Sequence, residues 1–363
     1  MIYYFLIVFW VGANQMRLNK TNSFQKIQYP LIGTMFILMT TVSLAIPITT
    51  DMTRYLTLLN ISRLQSLPDI LSNTRFEPGY ITYQWFISQI STSKNVFMIL
   101  SMSIMWLIII FSLKKMLVLT EIPMIMLGYI SFFYFYNFST NTLRQGIAAP
   151  LILLTIVYIG REEKKSGLFT FLVAISFHTT AIISLLIFII KKFNISLKTL
   201  TIIYIISAGI MITGLNRILL MSVSGIVGGG MEETVGIYSS NSTISDYGAT
   251  NRIDFLLFTT VWVLWGIGFR HFYLKENVWF EWILKAYIAL SSIYLLFGFI
   301  AFSDRMAAYP WFLIPILLFY PSLNIESKFK NVWIVFCLMI CVVLFFYFNV
   351  SDLYTPLNLF YYK

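Results

Sequence analysis

The chain has 363 residues, 58% of them hydrophobic and only 11% charged, where a soluble domain carries about 25% charged residues. So few charges cannot cover a water-facing surface, which excludes a soluble globular protein and predicts an all-α polytopic membrane bundle of about 10–12 transmembrane helices. The net charge of +10 sits in short loops between apolar runs, where it sets orientation and meets anionic lipid headgroups; nucleic acid is not an expected partner.

In chain order, apolar runs fall at residues 2–14, 30–49, 95–113, 116–136, 147–160, 168–190, 199–216, 253–270, 279–300, 306–322 and 331–350. Several approach the length of about 20 residues that a bilayer-crossing helix needs. The first and fifth are short. The first also lacks the basic start and small-residue cleavage site of a signal peptide. No soluble segment interrupts the series, so residues 1–363 read as one integral membrane domain with outer loops at about 50–94 and 217–252. Cys337 and Cys341 stand four apart in an apolar run, which implies neither a disulfide framework nor a metal site.

Lysine and arginine in the short loops set orientation. Arg17/Lys20/Lys26, Lys114/Lys115, Arg161/Lys164/Lys165, Lys191/Lys192/Lys198, Arg270/Lys275 and Lys328/Lys330 all become cytoplasmic only if residues 168–190 dip in and return as a re-entrant hairpin. Its turn would fall near Ser176-Phe177-His178-Thr179. Non-helical backbone at depth is tolerated where it lines a wet cavity. The other reading is one ordinary span that violates the charge rule. With the hairpin, both termini are outside, and seven of the ten basic residues on the outer side are Arg, against three of fifteen on the inner side. Orientation does not require arginine outside, but forked recognition of phosphate does favour it.

The outer constellations follow the same order. Asp51 and Arg54 stand three apart, on one face of a helical turn. Tyr80, Tyr83, Trp85 and Phe86 form either an interfacial aromatic belt or faces for sugar rings. Arg144 opens the fifth run at a helix N-terminus, where an anion is favoured, or snorkels to the interface. His178, in the middle of an apolar run, is a functional candidate or a packing histidine. The 217–252 loop carries Gly228, Gly229, Gly230, Glu232 and Glu233 and reads as a lid or as disorder. Arg252 and Asp254 form a local pair at its end. Asp304 and Arg305, with Tyr309 one turn on, are a site or a solvated pair. Glu281 and Lys285, four apart, are a structural pair. No Walker, Rossmann, HExxH, CxxC or DxD pattern occurs, so neither ATP, nor a metal, nor another cofactor is expected.

The ordered set Asp51-to-Tyr55, Glu77-Pro78-Gly79-Tyr80, Leu143-Arg144-Gln145-Gly146-Ile147-Ala148, Phe177-His178 and Asp304-Arg305 with Tyr309 resembles the EpsG-like family and, more broadly, the Wzy-type O-antigen and capsule repeat-unit polymerases. The resemblance covers about residues 45–310. It implies a GT-C-like glycosyltransferase of the bacterial plasma membrane, working at the face toward the periplasm or cell exterior. Such an enzyme transfers glycan from undecaprenyl pyrophosphate to a sugar hydroxyl of a second lipid-linked repeat unit, and a chain-length regulator is a possible partner. In that frame Arg144, Arg252, Arg305 and Arg54 are candidates to hold the pyrophosphate. Asp51 is the first candidate for the base, with His178 and Glu77 as rivals. Tyr55, Tyr80, Gln145, Asp304 and Tyr309 are candidates for substrate contact. An O-antigen ligase or single-addition glycosyltransferase would share these groups. A flippase would need charges along a midplane path and an internal repeat, and no repeat is evident. A membrane acyltransferase would need its histidine beside a cytoplasmic entry, whereas His178 falls near the outer side.

Overall fold

The structure is a computed structural model that describes residues 2–17, 25–227, 236, 239, 240, 243, 244, 250–301, 303–325 and 328–349. Among the described residues the regular structure is helical throughout. The helices are α1 (Ile2–Arg17), α2 (Gln25–Ala45), α3 (Thr50–Leu64), α4 (Leu67–Asn73), α5 (Pro78–Ile90), α6 (Lys94–Lys114), α7 (Ile122–Ser131), α8 (Phe133–Thr140), α9 (Leu143–Gly160), α10 (Lys164–Phe177), α11 (Leu185–Lys192), α12 (Leu197–Ile212), α13 (Leu215–Val227), α14 (Ile253–Phe272), α15 (Val278–Leu296), α16 (Asp304–Trp311), α17 (Ile314–Asn324) and α18 (Lys330–Asn349). Seven stretches among the described residues are long and apolar enough to cross a bilayer. An eighth is counted if α12 and the start of α13, bent by 102° at their junction, make one broken span. The protein is therefore an all-α polytopic membrane protein. The runs 2–14, 116–136 and 168–190 are helical too, but α1 has 16 residues, and the other two are interrupted at Phe132 and His178.

The chain divides into two compact units. Among the described residues, those up to 181 and those from 318 onward form the first, and those from 182 to 317 the second. In the first unit α9 packs against α6, α8 and α10, while α5 lies against α3, α4 and α10. In the second, α15 is the centre, with α11, α12, α14 and α16 around it.

The 50–94 stretch, expected as a loop, folds as α3, α4 and α5, each too short to span. Local chemistry starts them. The Thr49 hydroxyl accepts from the Met52 amide at 3.3 Å, and the Ser66 hydroxyl from the Asp69 amide at 3.4 Å, each satisfying an orphan N–H. Pro68 and Pro78 occupy first turns, where a missing N–H costs nothing. Between α4 and α5, residues 74–77 stay non-helical because Pro78 disfavours helical backbone at the preceding residue, Glu77.

The 168–190 run breaks where the sequence expected it to turn. Helix α10 ends at Phe177, His178 is extended, and Thr179–Ser184 form a short, tighter helix before α11. Helix α10 lies in the first unit and α11 in the second. In the second unit, α12 ends at Ile212 and the chain turns two residues later at Gly214, whose φ of +72° suits a residue without Cβ. Gly228, Gly229, Gly230, Glu232 and Glu233, expected from the sequence in a lid or a disordered loop, lie outside the described residues.

Candidate active site

Glu77 is the hub of the first unit's polar cluster. It stands just before α5, at the end of the non-helical link. Its Oε1 accepts from the Thr179 amide at 3.0 Å, from the Thr179 hydroxyl at 3.2 Å, and from His178 Nδ1 at 3.2 Å. Its Oε2 takes Arg144 Nη1 at 2.6 Å. The break after α10 thus has its exposed backbone and side-chain donors satisfied by one carboxylate reaching across from α5. Burial pushes the Glu77 carboxyl up, but the bonds from His178, Arg144 and Thr179 outweigh it and hold the group well below the usual carboxylate range. Glu77 is therefore ionised at neutral pH. An ionised carboxylate only accepts, so the proton of a neutral His178 is on Nδ1, and Nε2 is the basic nitrogen.

Arg144 sits in the first turn of α9. Besides Glu77, it donates from Nε to the Tyr55 hydroxyl at 3.5 Å, and its guanidinium lies 4.7 Å from the centre of the Phe76 ring. Among the described residues none accepts from Nη2. Tyr55, Phe76 and Tyr80 pack ring to ring, with centroids 5.3–6.1 Å apart. The Tyr80 hydroxyl is buried, lies within electrostatic range of Arg144 and Glu77, and has no hydrogen-bond partner among the described residues. Burial keeps it a neutral phenol by raising its ionisation well above the ordinary range.

Close approach of the helices makes the cluster possible. A Cβ on Gly79 would stand 2.8 Å from both the Cβ and the carbonyl oxygen of Ser176 in the last turn of α10. A Cβ on Gly146 would stand 2.5 Å from the carbonyl oxygen of Phe138 on α8. Both crossings need glycine, and they set the depth of the turns that carry Glu77 and Arg144.

The other expected residues are elsewhere. Asp51 and Arg54 form a one-turn pair at 3.5 Å on α3, with the Arg54 side chain 68% exposed. Gln145 is buried beside Arg144 on α9. Arg252 and Arg305 belong to the second unit. There Arg252 donates from Nε to Asp254 at 3.1 Å and stacks on Phe255 at 3.7 Å. Arg252, Asp254 and Asp304 all lie within electrostatic range of the Tyr294 hydroxyl. Tyr309 is buried on α16. The backbone ahead of Arg252 is held by a reciprocal amide pair. Asn216 Nδ2 donates to Asn251 Oδ1 at 2.7 Å and to the Leu295 carbonyl at 3.3 Å, and Asn251 Nδ2 donates back to Asn216 Oδ1 at 3.2 Å. Sequence reasoning gave no role to Thr179, Phe76, Gly79 or Gln84. The adjacency of Phe76 and Thr179 to the singled-out Glu77 and His178 was the available signal.

Fold and site together define a class: a polytopic helical membrane protein with an enclosed carboxylate–imidazole–guanidinium cluster built on short helices beside its spans. A model of the EpsG family matches residues 26–363, and the chain belongs to the EpsG family. No curated protein and no solved structure matches it.

Proposed function

We propose that this protein polymerises lipid-linked oligosaccharide repeat units at the outer face of the bacterial plasma membrane. It would transfer a glycan from undecaprenyl diphosphate to a sugar hydroxyl of an acceptor repeat unit. Membership of the EpsG family supports polysaccharide polymerisation as the theme. The single observation that carries the chemistry is Glu77 bonded at once to His178 and Arg144.

In this reading His178 Nε2 takes the proton of the acceptor hydroxyl while Glu77 holds the ring in that tautomer and stabilises the imidazolium that forms. The acceptor oxygen bonds to the anomeric carbon as the carbon–oxygen bond to the diphosphate breaks. The lipid diphosphate leaves with the electron pair, and Arg144 Nη2 meets the charge that develops on it. The pairing of His178 with a buried carboxylate makes it a better base than Asp51, whose described contact is a half-exposed one-turn pair. Arg252 of the second unit, half-neutralised by Asp254, is a candidate phosphate contact in its own right.

The test is a purified-protein assay with a defined lipid-linked repeat unit in metal-free buffer. A ladder of products supports the proposal. A single added unit identifies a ligase or single-addition transferase instead. Absence of any glycan transfer refutes it.

A further inference from the structure

Helix α5 carries two buried polar atoms that the fold does not satisfy. The Tyr80 hydroxyl and Gln84 Oε1 both lack a hydrogen-bond partner among the described residues, and both side chains are fully enclosed. They stand four residues apart, on one face of the helix. Leaving such groups unpaired costs a fold about 1–3 kcal/mol each, so two on one face call for an explanation. The other end of the Gln84 amide is committed, since Nε2 donates to the Tyr55 carbonyl. Tyr55 in turn meets Arg144 through its hydroxyl. The Tyr80 hydroxyl lies within electrostatic range of Arg144 and Glu77, and Gln84 stands one turn further along the same face, bonded to the backbone of the residue whose hydroxyl meets Arg144.

The Tyr80 end of this face is covered by a residue that is not anchored in a helix. Phe76 lies in the non-helical link before α5, and its ring packs against Tyr55, Tyr80 and the Arg144 guanidinium. Rotation of a side chain on a short link is a small motion. It would present an aromatic face, a phenol that both donates and accepts, and an amide oxygen that accepts. That set matches a sugar ring, which offers C–H faces to an aromatic and hydroxyls that donate and accept. It does not match a polyprenyl chain, which satisfies neither polar atom.

We propose that Phe76, Tyr80 and Gln84 form a sugar subsite beside Arg144, covered by the Phe76 ring and opened when that ring turns. The proposal rests on the polymerase reading and names where one sugar residue of the substrate is held.

Thermal unfolding of the purified full chain, with inorganic pyrophosphate or with the lipid-linked repeat unit, tests it together with steady-state kinetics. Tyr80→Phe removes a hydroxyl that has no protein partner, so the unliganded melting temperature should not fall. Its stabilisation by pyrophosphate should match wild type, while KM for the repeat unit rises about tenfold, the loss of one ligand hydrogen bond. Gln84→Met is the second variant and should show the same split between the two ligands. Tyr80→Phe and Gln84→Met enzymes with wild-type KM would overturn the subsite and leave the polymerase reading intact. A wild-type protein stabilised by neither ligand would sink both.

Discussion

Replacing Gly79 by Ala adds one methyl where α5 crosses α10. The new Cβ would meet the Ser176 carbonyl oxygen at 2.8 Å, whereas ordinary contact begins at 3.4 Å. The carbonyl belongs to the last turn of α10 and cannot rotate away, so the helices must part by roughly 0.6 Å, the difference between those two distances. The same shift stretches the Thr179 amide bond to Glu77 from 3.0 Å to about 3.6 Å, beyond a hydrogen bond. The His178 contact, at 3.2 Å, loosens with it. Loss of a buried bond to a charged acceptor is worth about 1.5–3 kcal/mol. Carried into the transition state, that becomes roughly a 10- to 150-fold fall in kcat. The assay is the initial rate of ladder formation by purified protein, with the melting temperature measured alongside. Adding Ser176→Gly removes the side-chain clash but not the carbonyl clash, so rescue should be partial. Wild-type kcat in Gly79→Ala would refute the reasoning, because it would mean that helix spacing does not control the Glu77 cluster.

Three further expectations follow from the same geometry. Arg144→Lys keeps the charge but loses the fork that reaches Glu77, Tyr55 and a ligand together; kcat should drop by about two orders of magnitude, with less than a twofold change in membrane abundance on immunoblots. Glu77→Gln leaves Arg144 and His178 without their anion and should cost about 3 kcal/mol of stability. Because the folded carboxyl ionises at lower pH than its reference value of 4.5, that stabilisation is complete above pH 4.5 and wanes as pH falls below it. The melting-temperature gap between wild type and Glu77→Gln should therefore narrow in acid, and a gap undiminished at pH 3 contradicts the assignment. Asn216→Ala leaves the Asn251 side-chain amide unpaired and takes one donor from the Leu295 carbonyl, which keeps the Gly298 amide, at about 1–3 kcal/mol. Faster amide hydrogen exchange at the start of α13 should report it, and unchanged exchange would show that the amide pair does not hold the α12–α13 bend.

The membrane fold was legible because apolar run length is a direct physical requirement of the bilayer. The break at His178 was legible because two basic clusters flank one apolar run. Glu77, Arg144 and His178 were each singled out, but their meeting was not, since 67 positions separate Glu77 from Arg144 and 101 separate it from His178. Nothing local encodes such contacts. The preference for Asp51 over Glu77 has the same origin. Both are carboxylates soon after the second apolar run, and only the packing of α9 and α10 makes one a buried hub while the other remains a one-turn pair. Helices α3 and α4 read as loop in the sequence because their apolar content falls short of a span, and α5 only as an interfacial aromatic segment, although Thr49, Ser66, Pro68 and Pro78 carry the capping signs. Gln84 was missed because a lone amide four residues after a tyrosine resembles any interfacial helix.

Pro150 lies inside α9. Proline has no N–H to give the carbonyl of Gly146, four residues earlier, so the ladder of α9 loses a rung just after the turn that bears Arg144 and Gln145. That first turn is consequently tied to the rest of α9 by one hydrogen bond fewer, and its position is set by its packing on Phe138 of α8, while the remainder of the helix is enclosed by its neighbours in the first unit.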